Sequence, residues 1–165
     1  MAEFKVQVDE KLLNSILKQI PEQKLEYRHG CFLGAAKLPV GAVKAVVIPS
    51  FNGSYVVFAV PFKEIKGDLT GKFFLSKLIS VFWGTISKQA EKVALPVLRK
   101  YGMGADTLVI EKVKEAGGEV GKIKVSVNAI NRWLEAQHPR LSPNLTGLIF
   151  SSEGVEVVGD LRVVA

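Results

Sequence analysis

The segment from residue 72 to about residue 95 constrains the fold of this chain more than any other. Its sequence, KFFLSKLISVFWGTISKQAEKVAL, has one narrow polar stripe at helical spacing and apolar side chains almost everywhere else. A surface helix normally buries a stripe only about 100° wide, so this segment predicts a long helix that other elements surround on most sides. Pro96 is expected to kink or end the helix, and Gly102 and Gly104 to close the segment.

This helix is not expected to cross a membrane. Its uninterrupted apolar core is shorter than the ~20 residues that a bilayer requires, and it contains Lys77 and Lys88. A helix that lies in a membrane interface is the alternative to a core helix of the folded domain.

Most of the remaining chain predicts antiparallel strands. The predicted strands lie at 3–8, 24–29, 31–38, 42–48, 54–62, 107–113 and 121–127, and in a final hairpin that turns at 151–154. Asn52-Gly53 predicts a two-residue type I′ turn. Two short helices are predicted, with Asp9 and Asn128 as their N-caps.

The strands on either side of Asn52-Gly53 do not alternate as half-buried strands do. AVKAVVI and YVVFAV carry apolar side chains at odd and even positions, which point to opposite faces of a sheet. Something must therefore cover the second face of the sheet. Helices, a partner subunit and a bound apolar ligand are the three alternatives.

Length and composition predict a single globular domain over residues 1–165, because 48% of the residues are hydrophobic and 23% are charged. The lone Cys31 excludes an intramolecular disulfide and a cysteine-based zinc cluster. The start of the chain has no secretory leader, which predicts a cytoplasmic protein, or an exported one if a leader has been removed.

The net charge of +6 is concentrated in the middle of the chain. Residues 24–100 hold twelve Lys or Arg against four acidic residues. Such a surface can contact anionic lipid head groups or nucleic acid, or can simply be solvated. No aromatic-basic motif or recognition helix supports nucleic acid.

Two segments, one near each end of the chain, have weakly similar sequences. KVQVDEKLLNSIL near the start resembles KVSVNAINRWL near residue 124, with a two-residue gap. The sequence thus indicates a weak repeat of 4–38 in 123–164, although strand-to-helix junctions also converge on such patterns.

Catalytic machinery is not apparent. His29 and His138 are the only histidines, and neither lies in a metal-binding spacing. No phosphate-binding loop, dinucleotide-binding motif or nucleophile elbow occurs. We therefore expect no enzyme, no catalytic residues, no cofactor and no metal.

A capped short helix, a meander of apolar strands, a long apolar helix and a second strand–helix–hairpin unit together resemble the tubular lipid-binding (SMP-like) superfamily, including its small bacterial members. The resemblance implies an α+β fold in which a curved antiparallel sheet wraps around one long apolar helix, with two short capped helices. It also implies an apolar groove between sheet and helix for acyl chains. By position, its lining would be Phe74, Leu78, Phe82, Trp83, Ile86, Val46, Ile48, Val57 and Phe58.

The expected function is noncatalytic binding of a lipid or another apolar small molecule in that groove, with peripheral contact to an anionic membrane. The alternative is a protein-interaction or assembly module with a solid core, whose surplus apolar surface is buried in a homodimer or against another partner.

Overall fold

The protein is a mixed α+β structure with antiparallel sheets, as the sequence predicts. The computed structural model describes residues 2–19, 24–38, 41–67 and 72–164, without the side chains at 36–38, 41 and 72–76. The described helices are α1 (Glu10–Leu17), α2 (Lys72–Lys100) and α3 (Val127–Gln137). The described strands are β1 (Ala2–Asp9), β2 (Lys24–Arg28), β3 (Cys31–Leu38), β4 (Gly41–Phe51), β5 (Tyr55–Pro61), β6 (Lys66–Gly67), β7 (Leu108–Glu115), β8 (Gly118–Ser126), β9 (Pro143–Ser151) and β10 (Gly154–Leu161).

The strands form two sheets, and every pairing is antiparallel. The large sheet has the order β2-β3-β4-β5-β8-β7, with β6 paired to β4, and the small sheet has the order β1-β10-β9. Both orders have free ends, so neither sheet closes on itself.

The helix boundaries confirm one predicted cap, correct the other, and show that α2 runs past Pro96. Asp9 caps α1, accepting a hydrogen bond from the Leu12 backbone at 2.7 Å. The cap of α3 is Ser126 rather than Asn128, since the Ser126 hydroxyl accepts from the Ala129 backbone. Pro96 does not end α2, which continues to Lys100.

Two turns differ from the sequence prediction. Asn52 does not have a positive φ, so Asn52-Gly53 is not a type I′ turn. The Asn52 side chain instead accepts hydrogen bonds from the backbones of Ser54 and Tyr55, and Gly53 has a φ of 92°. The turn with φ > 0 at both central residues is His29-Gly30, which joins β2 to β3 (φ 53° and 80°).

Two apolar clusters form the core. The first lies between the large sheet and α2, where Phe62, Ile79 and Trp83 are buried together with Val43 and Val60. The second lies between α1, the β2–β3 hairpin and the small sheet, and is centred on Tyr27. The Phe32 ring packs edge-on against Tyr27 of the second cluster and against Phe58 of β5.

Helix α2 meets the large sheet through one stripe rather than on most sides. Ile79, Trp83 and Ile86 belong to the first cluster. Val81 and Val93 point away from it and are 77% and 70% exposed. The wrapping of a sheet around this helix is therefore not seen in the described part of the chain.

Two segments share the element order strand–helix–strand–strand: β1-α1-β2-β3 and β8-α3-β9-β10. In each, an asparagine five positions after the helix cap bonds to the backbone of the following strand. Asn14 binds the N–H and C=O of Tyr27 at 2.6 and 2.9 Å, and Asn131 binds those of Leu145 at 2.8 and 3.5 Å. The internal repeat stays a prediction, although aligning Asp9 with Ser126 removes the gap in the sequence comparison.

The packing of Trp83 on the large sheet gives a stability test. A Cβ added to Gly121 would lie 2.4 Å from the Trp83 ring, so Gly121→Ala should lower the free energy of unfolding by about 1–3 kcal/mol through overpacking. Gly84 lies one residue further along α2, and a Cβ added there would have no atom within 4 Å, so Gly84→Ala should raise it by about 1 kcal/mol. Urea unfolding of both variants measures this, and unchanged stability of Gly121→Ala would contradict the packing.

Candidate functional site

The alternation of β4 divides the predicted lining residues between two faces of the large sheet. Ala45 and Val47 point to α2 and pack on the first cluster. Val46 and Ile48 therefore point to the opposite side, which we term the open face. Ile48 is 44% exposed there.

The other predicted residues also lie in different surroundings. Trp83 and Ile86 belong to the core between α2 and the sheet, whereas Phe82 is 49% exposed. Val57 and Leu78 are buried and half-buried, and the Phe58 ring lies 6.0 Å from that of Phe32. The Phe74 side chain lies outside the described residues. The structure therefore does not bring the nine residues together at one surface.

The interface between α2 and the sheet is filled around Trp83. The indole ring lies against Gly121, its centroid is 5.2 Å from that of Phe62, and its N–H donates to the Glu111 carbonyl at 3.2 Å. These contacts leave no room for an acyl chain at this point.

A groove of about 600 Å³ lies at the β2–β3–β4 end of the open face. Leu33 and Val46 are direct cross-strand partners, and together with Ala35 they give it an apolar floor. Its full lining is Lys18, Lys24, Leu25, Glu26, Leu33, Gly34, Ala35, Lys44, Ala45, Val46, Glu64 and Lys66. The volume falls within the range of about 300–1,000 Å³ that is typical of small-molecule sites.

Three of the groove's lysines lie in one row across the strands. Lys24 pairs with Ala35, Ala35 with Lys44, and Lys44 with Lys66. Lys44 and Lys66 are thus directly opposite, an arrangement of like charges that destabilises a sheet. We term Lys24, Lys44 and Lys66 the lysine row.

The three lysines of the lysine row are not held in ion pairs with the described residues. None of its three members makes a salt bridge with a residue that the structure describes. Of the two groove glutamates, Glu26 is 3.4 Å from the Arg28 guanidinium. The groove therefore carries an excess of positive charge beside an apolar floor.

The far end of the open face is different. There Lys122 and Lys124 form salt bridges with Glu115 and Glu111, at 2.8 and 2.7 Å. The Lys124 ammonium also lies 5.6 Å from the centre of the Tyr55 ring. Lysines are thus held in ion pairs at the β7–β8 end, whereas the lysine row makes none with the described residues.

Sequence reasoning missed the lysine row as a set, although two signals pointed in its direction. The excess of basic residues over 24–100 includes all three lysines. The apolar residues on both faces of the strands indicated that something covers the second face of the sheet. The register that places Lys44 opposite Lys66 depends on a two-residue strand, β6, which carries no strand signal of its own.

The described residues do not assemble a metal-binding cluster of three or more His, Cys, Asp or Glu. Within the same ranges, no helix, α2 included, has the length and hydropathy needed to cross a bilayer. Comparisons with protein-family models, curated proteins and solved structures found no match to this chain.

Tyr27 has a shifted pKa, and the cause lies in its packing. Its side chain is wholly buried, and its hydroxyl donates to the carbonyls of Ser151 and Gly154 at 2.7 and 3.0 Å. Burial raises the pKa of Tyr27 above the ordinary value of 10.0, because a phenolate there would lose its hydration.

This raised pKa predicts a loss of stability at alkaline pH. The unfolded chain releases the Tyr27 proton near pH 10, whereas the folded chain holds it to higher pH, so the stabilisation is complete below pH 10 and lost as pH rises through the folded pKa. Tyr27→Phe should lower the free energy of unfolding by about 1–3 kcal/mol at pH 8, because the carbonyls of Ser151 and Gly154 each lose one donated hydrogen bond. Above pH 10 the difference in unfolding free energy between the wild type and Tyr27→Phe should become smaller.

Urea unfolding of both proteins at a series of pH values measures this gap. Tyr55→Phe is the matched control at pH 8, since Tyr55 is only half-buried, and it should lose less stability there than Tyr27→Phe. A constant gap between the wild type and Tyr27→Phe would contradict the assignment.

Proposed function

We propose that this protein noncovalently binds an amphipathic molecule, with an apolar body and one anionic group, in the groove of the open face. A long-chain fatty acid has this chemistry. The observation that carries the proposal is the lysine row, in which Lys44 and Lys66 lie opposite each other beside an apolar floor.

The apolar floor provides the surface for the body of the ligand. Leu33 and Val46 are half-buried on a face that α2 does not cover. An alkyl chain laid over them would remove apolar surface from water, which contributes about 25 cal/mol per Å².

The lysine row provides the polar end of the site. A carboxylate between Lys44 and Lys66 would convert a like-charge repulsion into two charge-assisted hydrogen bonds. Like charges directly opposite each other are unfavourable in a sheet, and a bound carboxylate would relieve this repulsion.

The two glutamates in the lining restrict the kind of anion. Glu26 and Glu64 lie in the same groove as the lysines, so a polyanion such as a nucleic acid would meet repulsion there. A single acidic head group on an apolar chain fits this charge pattern better.

The proposed position differs from that implied by the resemblance to tubular lipid-binding proteins. A curved sheet wrapped around α2 would hold the acyl chain between sheet and helix, where Trp83 occupies the space. The groove on the open face needs no such wrapping.

Calorimetric titration with oleate, and with oleyl alcohol as its uncharged analogue, tests the proposal. Oleate should bind more tightly than the alcohol. Lys66→Gln should weaken oleate binding about five- to tenfold, through loss of one charge-assisted hydrogen bond, and should slightly raise the stability of the free protein. Val46→Asp should weaken both ligands by at least about tenfold, since it puts a carboxylate into the apolar floor.

Matched controls use the same substitutions away from the groove. Val109 is 38% exposed at the far end of the large sheet, and Lys92 is exposed on α2. Val109→Asp and Lys92→Gln should therefore bind oleate like the wild type. Equal affinity for oleate and oleyl alcohol, or equal losses in the groove and control variants, would refute the proposed site.

A further inference from the structure

The strands at the two ends of each sheet differ in how their free edges are covered. The large sheet ends at β2 and β7, and the small sheet ends at β1 and β9. An outer strand presents unpaired backbone N–H and C=O groups to any further strand. Whether side chains occupy these backbone groups therefore indicates where a strand of another chain can pair.

Side chains block β2 and β9. The Asn14 amide occupies both the N–H and the C=O of Tyr27 on β2. The Asn131 amide occupies those of Leu145 on β9 in the same way. A strand approaching either edge would have to displace an asparagine.

The edge of β1 is not blocked in this way. The two-residue turn between Ser151 and Gly154 fixes which residues of β10 pair with β9. By alternation, Phe4, Val6 and Val8 then bond to β10, and the backbones of Glu3, Lys5 and Gln7 point outward. Within the described ranges, no side-chain hydrogen bond goes to these three backbones.

We propose that this protein forms a two-fold dimer in which β1 pairs antiparallel with β1 of a second copy. The two small sheets then become one six-stranded sheet. The proposed dimer uses the small sheet, whereas the ligand groove lies on the large sheet. The dimer and the ligand site are therefore tested independently.

Charge complementarity selects the second copy as the occupant. The backbones of Glu3 and Lys5 both point outward, so both can bond to a second copy. In one register Glu3 of each copy lies opposite Lys5 of the other. The two-fold axis then passes between the two copies of Phe4. Opposite charges directly across an antiparallel pair stabilise it, and a two-fold interface forms each pair twice.

The same reasoning excludes self-pairing through β7. Its turn to β8 closes at Glu115 and Gly118, so the outward residues are Ile110, Lys112 and Lys114. If two copies of β7 pair through these outward residues, each even-numbered residue of one copy lies opposite an even-numbered residue of the other. The β7 lysines are even and its glutamates odd, so no such register places a lysine opposite a glutamate.

Exposed apolar side chains accompany the β1 edge. Val6 on β1 is 50% exposed, and Leu12 and Ile16 on the helix that follows it directly are 50% and 48% exposed. Pairing through β1 brings these two elements of both copies to one interface.

Light scattering during size-exclusion chromatography, over a range of protein concentrations, tests the dimer. The wild type should reach twice the chain mass of 18.0 kDa. Glu3→Lys and Lys5→Glu should each weaken dimerisation by about tenfold or more, because each turns two attractive pairs into repulsive ones. The double variant Glu3→Lys/Lys5→Glu should restore the wild-type dimer.

Lys114→Glu on the β7 edge is the matched control and should leave the mass unchanged. Circular dichroism confirms that each variant is folded. A monomeric wild type at every concentration, single variants that dimerise normally, or a folded double variant that stays monomeric would each overturn the proposal.

Discussion

The two sheets of this protein depend on the contacts of one buried side chain, Tyr27. Its backbone is held by Asn14 of α1, its ring packs edge-on against Phe32, and its hydroxyl spans to the β9–β10 turn through Ser151 and Gly154. One residue thereby joins the edge of the large sheet, a helix and the hairpin of the small sheet. The two hydroxyl bonds join residues that lie 124 and 127 positions apart in the chain, and the Tyr27 side chain that makes them is wholly buried.

The large sheet illustrates how burial and function can compete. Its helix-facing side is filled, with Trp83 lying on Gly121 so closely that no side chain fits between them. Its open face retains an apolar floor and the lysine row, in which like charges face each other across β4 and β6. Proteins can retain such locally unfavourable arrangements where a ligand or partner compensates for them, and this is the physical basis for the proposal that the groove binds an anionic amphipathic molecule.

Sequence patterns predicted most of the strands, the Asp9 cap and the final hairpin, since these depend on local alternation and capping. They failed at Asn52 and Asn128, where other local hydrogen bonds formed instead. At Pro96 they left a kink or an end open, and α2 continues through it to Lys100. Of the eight predicted lining residues whose side chains the structure describes, Val46 alone lines the groove, because helical and strand periodicity describe a face without describing what covers it.

The sequence by itself determined the antiparallel α+β class, the positive charge of the middle of the chain and the presence of apolar side chains on both faces of β4 and β5. Each of these follows from residue type and spacing along short stretches. Only the tertiary structure decided that α2 covers one face through a single stripe, that Lys24, Lys44 and Lys66 form one row, and that asparagines block two sheet edges but not β1. Those features arise from the pairing register of distant strands, which is set by burial over the whole domain rather than by any local signal.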